Sequence, residues 1–190
     1  RPLLIAGCFP APRPCFFGFG MSFVALRVGK SLSLVNGPRV LAGPVGALRG
    51  TLTAAAAIHD AGFLTFLETA WADWKADGMA GEIIAANVPA RGMHMDRIPN
   101  NIDGRVGYYC HASETAITGG TWKAALSSLA SAQAAQRHVA SGARSAFALC
   151  RPPGHHSTRD QYGGYCFLNN AAVVAQMFRN DRFGKVAILD

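Results

Sequence analysis

The 190 residues predict an α/β domain with a parallel sheet flanked by helices, and three observations carry that reading. Half of the residues are hydrophobic and 15% are charged, which is enough apolar chain for one core and excludes a disordered or collagen-like polymer. Beyond Thr51, apolar residues recur at three- and four-residue steps, as amphipathic helices require. Two short apolar runs, 145–150 and 185–189, flank a further helical pattern, and strands joined by a helix lie parallel in a sheet covered on both faces.

Taken in order, residues 1–50 stand apart from the rest. They hold six Lys or Arg and no Asp or Glu, so most of the formal net charge of +7 resides there and residues 51–190 are nearly neutral. Charge confined to one end does not point to a nucleic-acid partner for the domain. The same fifty residues carry six of the ten prolines and eight of the 21 glycines, with no sustained apolar period. They are expected to form an atypical basic Pro/Gly-rich head, disordered or mis-assigned, ahead of a domain at 51–190. A start at Arg1 with Met21 inside fits a fragment, a wrongly assigned start or a segment read in the wrong frame. The longest apolar run in the head is shorter than the ~18 residues that span a bilayer, so no membrane partner is expected. Five cysteines, an odd number without CxxC spacing, argue against a disulfide framework and a thiolate zinc site; a reducing cytoplasm is the expectation.

Residues 52–57 and then Phe63, Leu64, Phe66, Leu67, Trp71 and Trp74 mark one amphipathic helix or a broken pair, with Gly62 at the break. Seven Gly and Pro between 78 and 110 predict a surface excursion without a long helix. Gly119, Gly120 and Thr121 supply a break and an N-cap for a helix whose face is Trp122, Leu126, Leu129, Gln133, Gln136 and Val139, ending at Gly142. A buried strand at 145–150, a loop at 151–164, a helix at 168–178 and a buried strand at 185–189 complete the order. Ligands in such sheets bind beyond the carboxyl ends of the strands, where the 151–164 loop and Asp190 fall.

The chemistry-bearing stretch is Arg151-Pro152-Pro153-Gly154-His155-His156, followed by Gly163-Gly164-Tyr165-Cys166-Phe167-Leu168-Asn169-Asn170. Two prolines stiffen the backbone leaving the strand, Gly154 permits a tight bend, and two imidazoles reach the ligand edge. On an extended backbone neighbouring side chains point apart, so the pair suits two proton-handling roles better than chelation of one metal. The bland reading is a solvated pair on a surface loop. Cys166 reads more simply as a buried thiol than as a nucleophile, because adjacency in sequence does not place it against a base.

Residues 151–170, continued through Ala171-Ala172-Val173 and Val186-Ala187-Ile188-Leu189-Asp190, resemble the central signature of the zinc-dependent histone deacetylase superfamily, nearest to its bacterial polyamine-deacetylating members. Ile58-His59-Asp60-Ala61-Gly62, Phe66-Leu67-Glu68-Thr69-Ala70-Trp71, Gly107-Tyr108-Tyr109-Cys110 and Gly120-Thr121-Trp122 extend the resemblance over about 55–190. The resemblance implies an arginase/deacetylase-like sheet that is incomplete on its C-terminal side. It also implies a zinc-dependent amidohydrolase that removes an acetyl group from an acetylated amine, an acetylpolyamine or acetyl-lysine. His156 matches the general base, His155 the charge-stabilising histidine and Asp190 the carboxylate that orients it. Gly164 matches the carbonyl that receives the substrate amide, and Tyr165 the aromatic wall of the tunnel. Glu114 and Asp103 match acidic groups that attract a cationic amine at the tunnel mouth. Tyr165 as core packing, Glu114 as a solvated carboxylate and Asp190 as a solvated terminal residue stay open beside these roles.

Further implications concern what pairs with the chain. The 78–110 excursion is expected to pack against a second copy, and His94 and His111 are expected to be polar surface or core residues. In the family the zinc ligands and a carbonyl-polarising tyrosine follow the Asp190 position, so the 190 residues alone are expected to be inactive or nearly so. The alternative is a non-catalytic deacetylase-like fragment or binding module. An Asp-x-His-His-Gly continuation favours the enzyme and a stop codon favours the module.

Overall fold

A computed structural model describes residues 3–6, 22–28, 48–90, 92–181 and 183–189. The order is β1 (Leu3–Ala6), β2 (Ser22–Val28), α1 (Leu48–Ala55), α2 (Ala61–Ala76), α3 (Ile102–Tyr108), α4 (Thr121–Ala140), β3 (Ser145–Cys150), α5 (Asn170–Asn180) and β4 (Val186–Leu189). The arrangement is α/β, as expected, with α4 and α5 packed on the sheet through Ala132, Ala135, Val139, Val174 and Phe178.

The sheet order is β3-β2-β1-β4. β3 and β4 run in the same direction, as two strands joined by a helix should, but β2 and β1 lie between them. β2 is antiparallel to both of its neighbours, so the described sheet is mixed rather than wholly parallel. Two strands thus come from the head, where no apolar period announced them. Residues 48–50 open α1, and the rest of the head, Cys8 and Cys15 included, lies outside the described residues.

Coverage of both faces was expected and is not found among the described residues. Along β3, Ala148 and Cys150 turn into the core while Phe147 and Leu149 are 55% and 49% exposed. α4 and α5 both pack on the face that holds Ala148 and Cys150, and Ile188 and Leu189, on opposite faces of β4, are 44% and 55% exposed.

The helical expectations hold in outline and shift at the ends. The break between α1 and α2 falls at 56–60, and Gly62 lies inside the first turn of α2. Asp60 sets that start: its Oδ1 accepts from the N–H groups of Gly62 and Phe63 at 2.8 and 3.2 Å, the bonds of an N-cap. α2 buries Phe63, Leu64, Phe66, Leu67, Ala70 and Trp74. The 78–110 excursion is irregular until α3, which is anchored by buried Ile102 and Val106. α4 begins after Gly120 instead of at a Thr121 cap, and Thr121 Oγ1 instead accepts from the Thr118 N–H at 2.9 Å. Tyr109, Phe66, Tyr162 and Phe167 stack in succession, with centroids 4.7, 6.1 and 5.6 Å apart. That aromatic column fastens the 151–169 loop to α2 and α3.

Candidate active site

β3 ends at Cys150 and α5 starts at Asn170, and the loop between them is held by buried polar side chains. Ser128 on α4 donates to the Pro152 carbonyl at 2.7 Å and accepts from Asn170 Nδ2 at 3.1 Å. Ser157 donates to the Phe167 carbonyl at 2.8 Å, and Asn169 Nδ2 donates to the Ser157 carbonyl at 3.0 Å. Asn169 Oδ1 also caps α5 by accepting from Ala172 N–H at 3.0 Å. Gly154 crosses the start of α5 so closely that a Cβ there would collide with the Leu168 carbonyl and the Asn170 N–H. Its role is close approach; the tight bend alone does not demand glycine there.

His59, only 4% exposed, fastens the far end of this loop by accepting the Asn169 N–H at Nε2, 2.9 Å away. That bond requires the ring proton on Nδ1 and a neutral imidazole. Burial pushes its pKa down, opposed in part by the backbone carbonyls of Arg159 and Thr158.

The loop brings His155 and His156 together. Their ring centroids are 4.1 Å apart at an interplanar angle of 51°. The expectation of diverging rings fails because the backbone here is a turn, closed by Ser157 N–H to the Gly154 carbonyl at 3.1 Å, and not an extended strand. His155 is half-buried and His156 is exposed. The His156 ring lies against Gly164, where a Cβ would come within 2.5 Å of its Cδ2. Asp190, the expected partner of His155, lies outside the described residues.

Gly164 and Tyr165 occupy the tip of a two-residue turn closed by Gly163 N–H to Cys166 carbonyl at 3.1 Å and the reciprocal bond at 2.9 Å. Their φ values are 56° and 61°. Hairpin turns with positive φ at both central positions favour Asn-Gly, and a side chain in the left-handed region costs roughly 1–2 kcal/mol. The Tyr165 side chain is 45% exposed at this tip, which excludes ordinary core packing. Glu114 Oε1 accepts from Gly164 N–H at 3.2 Å, and Thr115 Oγ1 accepts from Tyr165 N–H at 2.9 Å. Glu114 is therefore at this turn rather than merely solvated. Asp103, exposed in the first turn of α3, makes no described contact with it. Cys166 is fully buried and its thiol donates to the Gly164 carbonyl at 3.3 Å.

Among the described residues no three His, Cys, Asp or Glu side chains come together as a metal-binding set. The described residues thus do not by themselves fit a zinc site; they bring two imidazoles, an exposed tyrosine and the Glu114 carboxylate to the 155–166 region.

Several contributors were not singled out from sequence. His111, expected to be a polar surface or core residue, donates from Nε2 to the His156 carbonyl at 3.0 Å, and its ring covers Gly163. Ser128, Ser157, Asn169 and Thr115 were missed as well. Two local signals were available, a serine at 128 on the apolar face of α4 and an asparagine at 169 just ahead of the apolar run of α5; Ser157 and Thr115 sit in irregular segments with partners 10 and 50 residues away.

The histone deacetylase domain model matches residues 30–190, some 25 residues further toward the N-terminus than the motifs of 55–190. The chain is 57% identical over 133 residues to the acetylpolyamine amidohydrolase of Mycoplana ramosa, covering 70% of this chain and 39% of that protein. Acetylpolyamine amidohydrolase 1 of Pseudomonas aeruginosa is 51% identical over 134 residues, with the same coverage of 70% and 39%. The crystal structure of acetylpolyamine aminohydrolase from Burkholderia pseudomallei superposes with a TM-score of 0.59 at 36% identity, over 68% of this chain and 37% of that one. The chain thus spans about two fifths of the length of the relatives it matches.

Proposed function

The chain belongs to the histone deacetylase family, and from that premise we propose that it is part of an amidohydrolase that removes an acetyl group from a small acetylated amine. The observation that carries the reading is the meeting of His156 with Gly164 at the turn that presents Tyr165. An imidazole in contact with Gly164, next to a tyrosine exposed at the tip of the same turn, supports a narrow acylamine chain better than a broad peptide surface. The acetylated amine is an acetylpolyamine in preference to acetyl-lysine, since the Glu114 carboxylate stands at the same turn and attracts a cationic amine.

Zinc would be held by residues outside those described, and when bound it would supply the Lewis acid for attack on the acetyl carbonyl. The roles on this chain are proton transfers and positioning. His156 beside Gly164 takes the proton from the attacking water and returns it to the leaving amine, while His155 stabilises charge, with Asp190 as its orienting carboxylate. The Gly164 carbonyl accepts the amide N–H and the Tyr165 ring flanks the chain. Asp103 adds negative charge at long range. Assayed alone, the 190 residues should turn over acetylated amine at background rate.

Beyond the site, the excursion exposes Met79, Ile84, Val88, Met93 and Ile98, a surface suited to a second copy of the chain. The three described cysteines are buried thiols outside any disulfide, in keeping with a cytoplasmic protein. No described helix is long and apolar enough to cross a membrane.

The test is hydrolysis of an N-acetylated diamine by the complete gene product loaded with zinc. His156→Ala should lower kcat by at least a hundredfold with zinc content unchanged. Near-normal turnover in that variant removes His156 as the base, and a product that binds no zinc and hydrolyses nothing is the non-catalytic module instead.

A further inference from the structure

The turn at 163–166 carries both groups assigned to the acylamine channel, yet its tip is a tyrosine where the backbone asks for glycine. Gly164 and Tyr165 both have positive φ, at 56° and 61°. A conformation that disfavours a side chain persists only where its surroundings hold it. Within the turn, the two bonds between Gly163 and Cys166 fix the stem and leave the N–H groups of Gly164 and Tyr165 pointing elsewhere.

Both are taken up by consecutive residues from the 111–115 segment. The Glu114 carboxylate is exposed and accepts at 3.2 Å. The Thr115 hydroxyl is 1% exposed and accepts the Tyr165 N–H at 2.9 Å. A buried hydroxyl on a short, β-branched side chain has few rotamers, so its oxygen is a fixed point, unlike a carboxylate on a flexible stem. The segment is itself anchored to the loop, through His111 N–H to the Tyr162 carbonyl at 3.0 Å and His111 Nε2 to the His156 carbonyl at 3.0 Å. Thr115 therefore refers the tip of the turn to the same frame that holds His156.

We propose that Thr115 is a positioning residue for substrate recognition: its buried hydroxyl holds Tyr165 in the left-handed conformation and so sets the wall of the acylamine channel relative to His156. This rests on the amidohydrolase reading for its kinetic consequence but not for its structural one. Thr115→Val keeps the shape and removes the acceptor; Thr115→Ser keeps the acceptor.

In the complete gene product, Thr115→Val should speed amide hydrogen exchange at Tyr165 about tenfold or more, with core amides of α4 unchanged and Thr115→Ser near wild type. For an N-acetylated diamine, KM should rise five- to twentyfold in Thr115→Val, kcat should change less than threefold, and Thr115→Ser should restore KM. Unchanged exchange at Tyr165, or faster exchange spread equally through the core, overturns the proposal. So does an unchanged KM in a variant whose Tyr165 amide has been released. If the wild-type protein hydrolyses no acetylated amine, the functional reading fails on its own, and the exchange at Tyr165 still decides whether Thr115 holds the turn.

Discussion

Two irregular segments rich in glycine and proline use their glycines for opposite reasons. In the 151–169 loop and its hairpin tip, Gly154, Gly163 and Gly164 are crowded: a Cβ on them would strike the Leu168 carbonyl, the His111 ring or the His156 ring. In the 78–101 excursion, Gly78, Gly81 and Gly92 have open space around them and positive φ of 76°, 71° and 86°. One segment needs glycine chiefly so that other atoms can come close, with Gly164 at φ 56° needing it for both reasons, and the other needs it so that the chain can turn. Side chains follow the same division. The loop is pinned by buried Ser128, Ser157, Asn170 and His59, whereas the excursion leaves Ile84, Met93 and Ile98 about half exposed or more. A segment fixed by its own chain can hold catalytic groups to a fraction of an ångström, and one with apolar residues outside is suited to meeting a partner.

The sharpest way to break this contrast is Gly154→Ala. The methyl would meet backbone atoms at the start of α5, which cannot rotate away, so a loss of about 3 kcal/mol in urea unfolding is expected. Next comes His59→Phe, which leaves the Asn169 N–H without an acceptor and should cost about 1–2 kcal/mol. The same residue gives a pH signature. With its folded pKa below the ordinary 6.5, the neutral ring's contribution is complete above that pH and is lost as the pH falls below it. Urea unfolding from pH 8 to pH 5 should therefore show an acid limb that His59→Phe flattens. The smallest effect on folding belongs to the excursion: Met93→Asp should change stability by no more than about 0.5 kcal/mol and, on the proposed pairing of two copies, weaken self-association in sedimentation. A large stability loss there, or an indifferent Gly154→Ala, would reverse the roles of the two segments.

Much of the architecture is legible along the chain because it depends on local period. β3 falls where its apolar run predicted, and α2, α4 and α5 were recovered with ends displaced by a few residues. The displaced ends have local causes: Asp60 caps α2 before Gly62 can break it, and Asn169 delays α5 until residue 170. β1 and β2 escaped notice because a strand in a sheet is defined by its neighbours, and their segments carry no two-residue alternation. The outer faces of β3 and β4 read as buried for the converse reason: a run of apolar residues states a preference, and coverage depends on which elements arrive.

His155 and His156 stand out between a Pro-Pro-Gly entry and a Gly-Gly-aromatic exit, whereas Gly164 and Tyr165 took their roles from the family resemblance of that stretch. What order along the chain could not supply is the angle between the two rings, set by the Gly154–Ser157 turn, or the hold of Glu114 and Thr115 on a turn 50 residues away. Residue types and periods determine which segments become helices and which chemistry is available, because those follow from neighbours on the chain. Only folding decides which hydroxyl meets which N–H, because bonds across 45 to 110 residues exist after packing has closed the intervening loops.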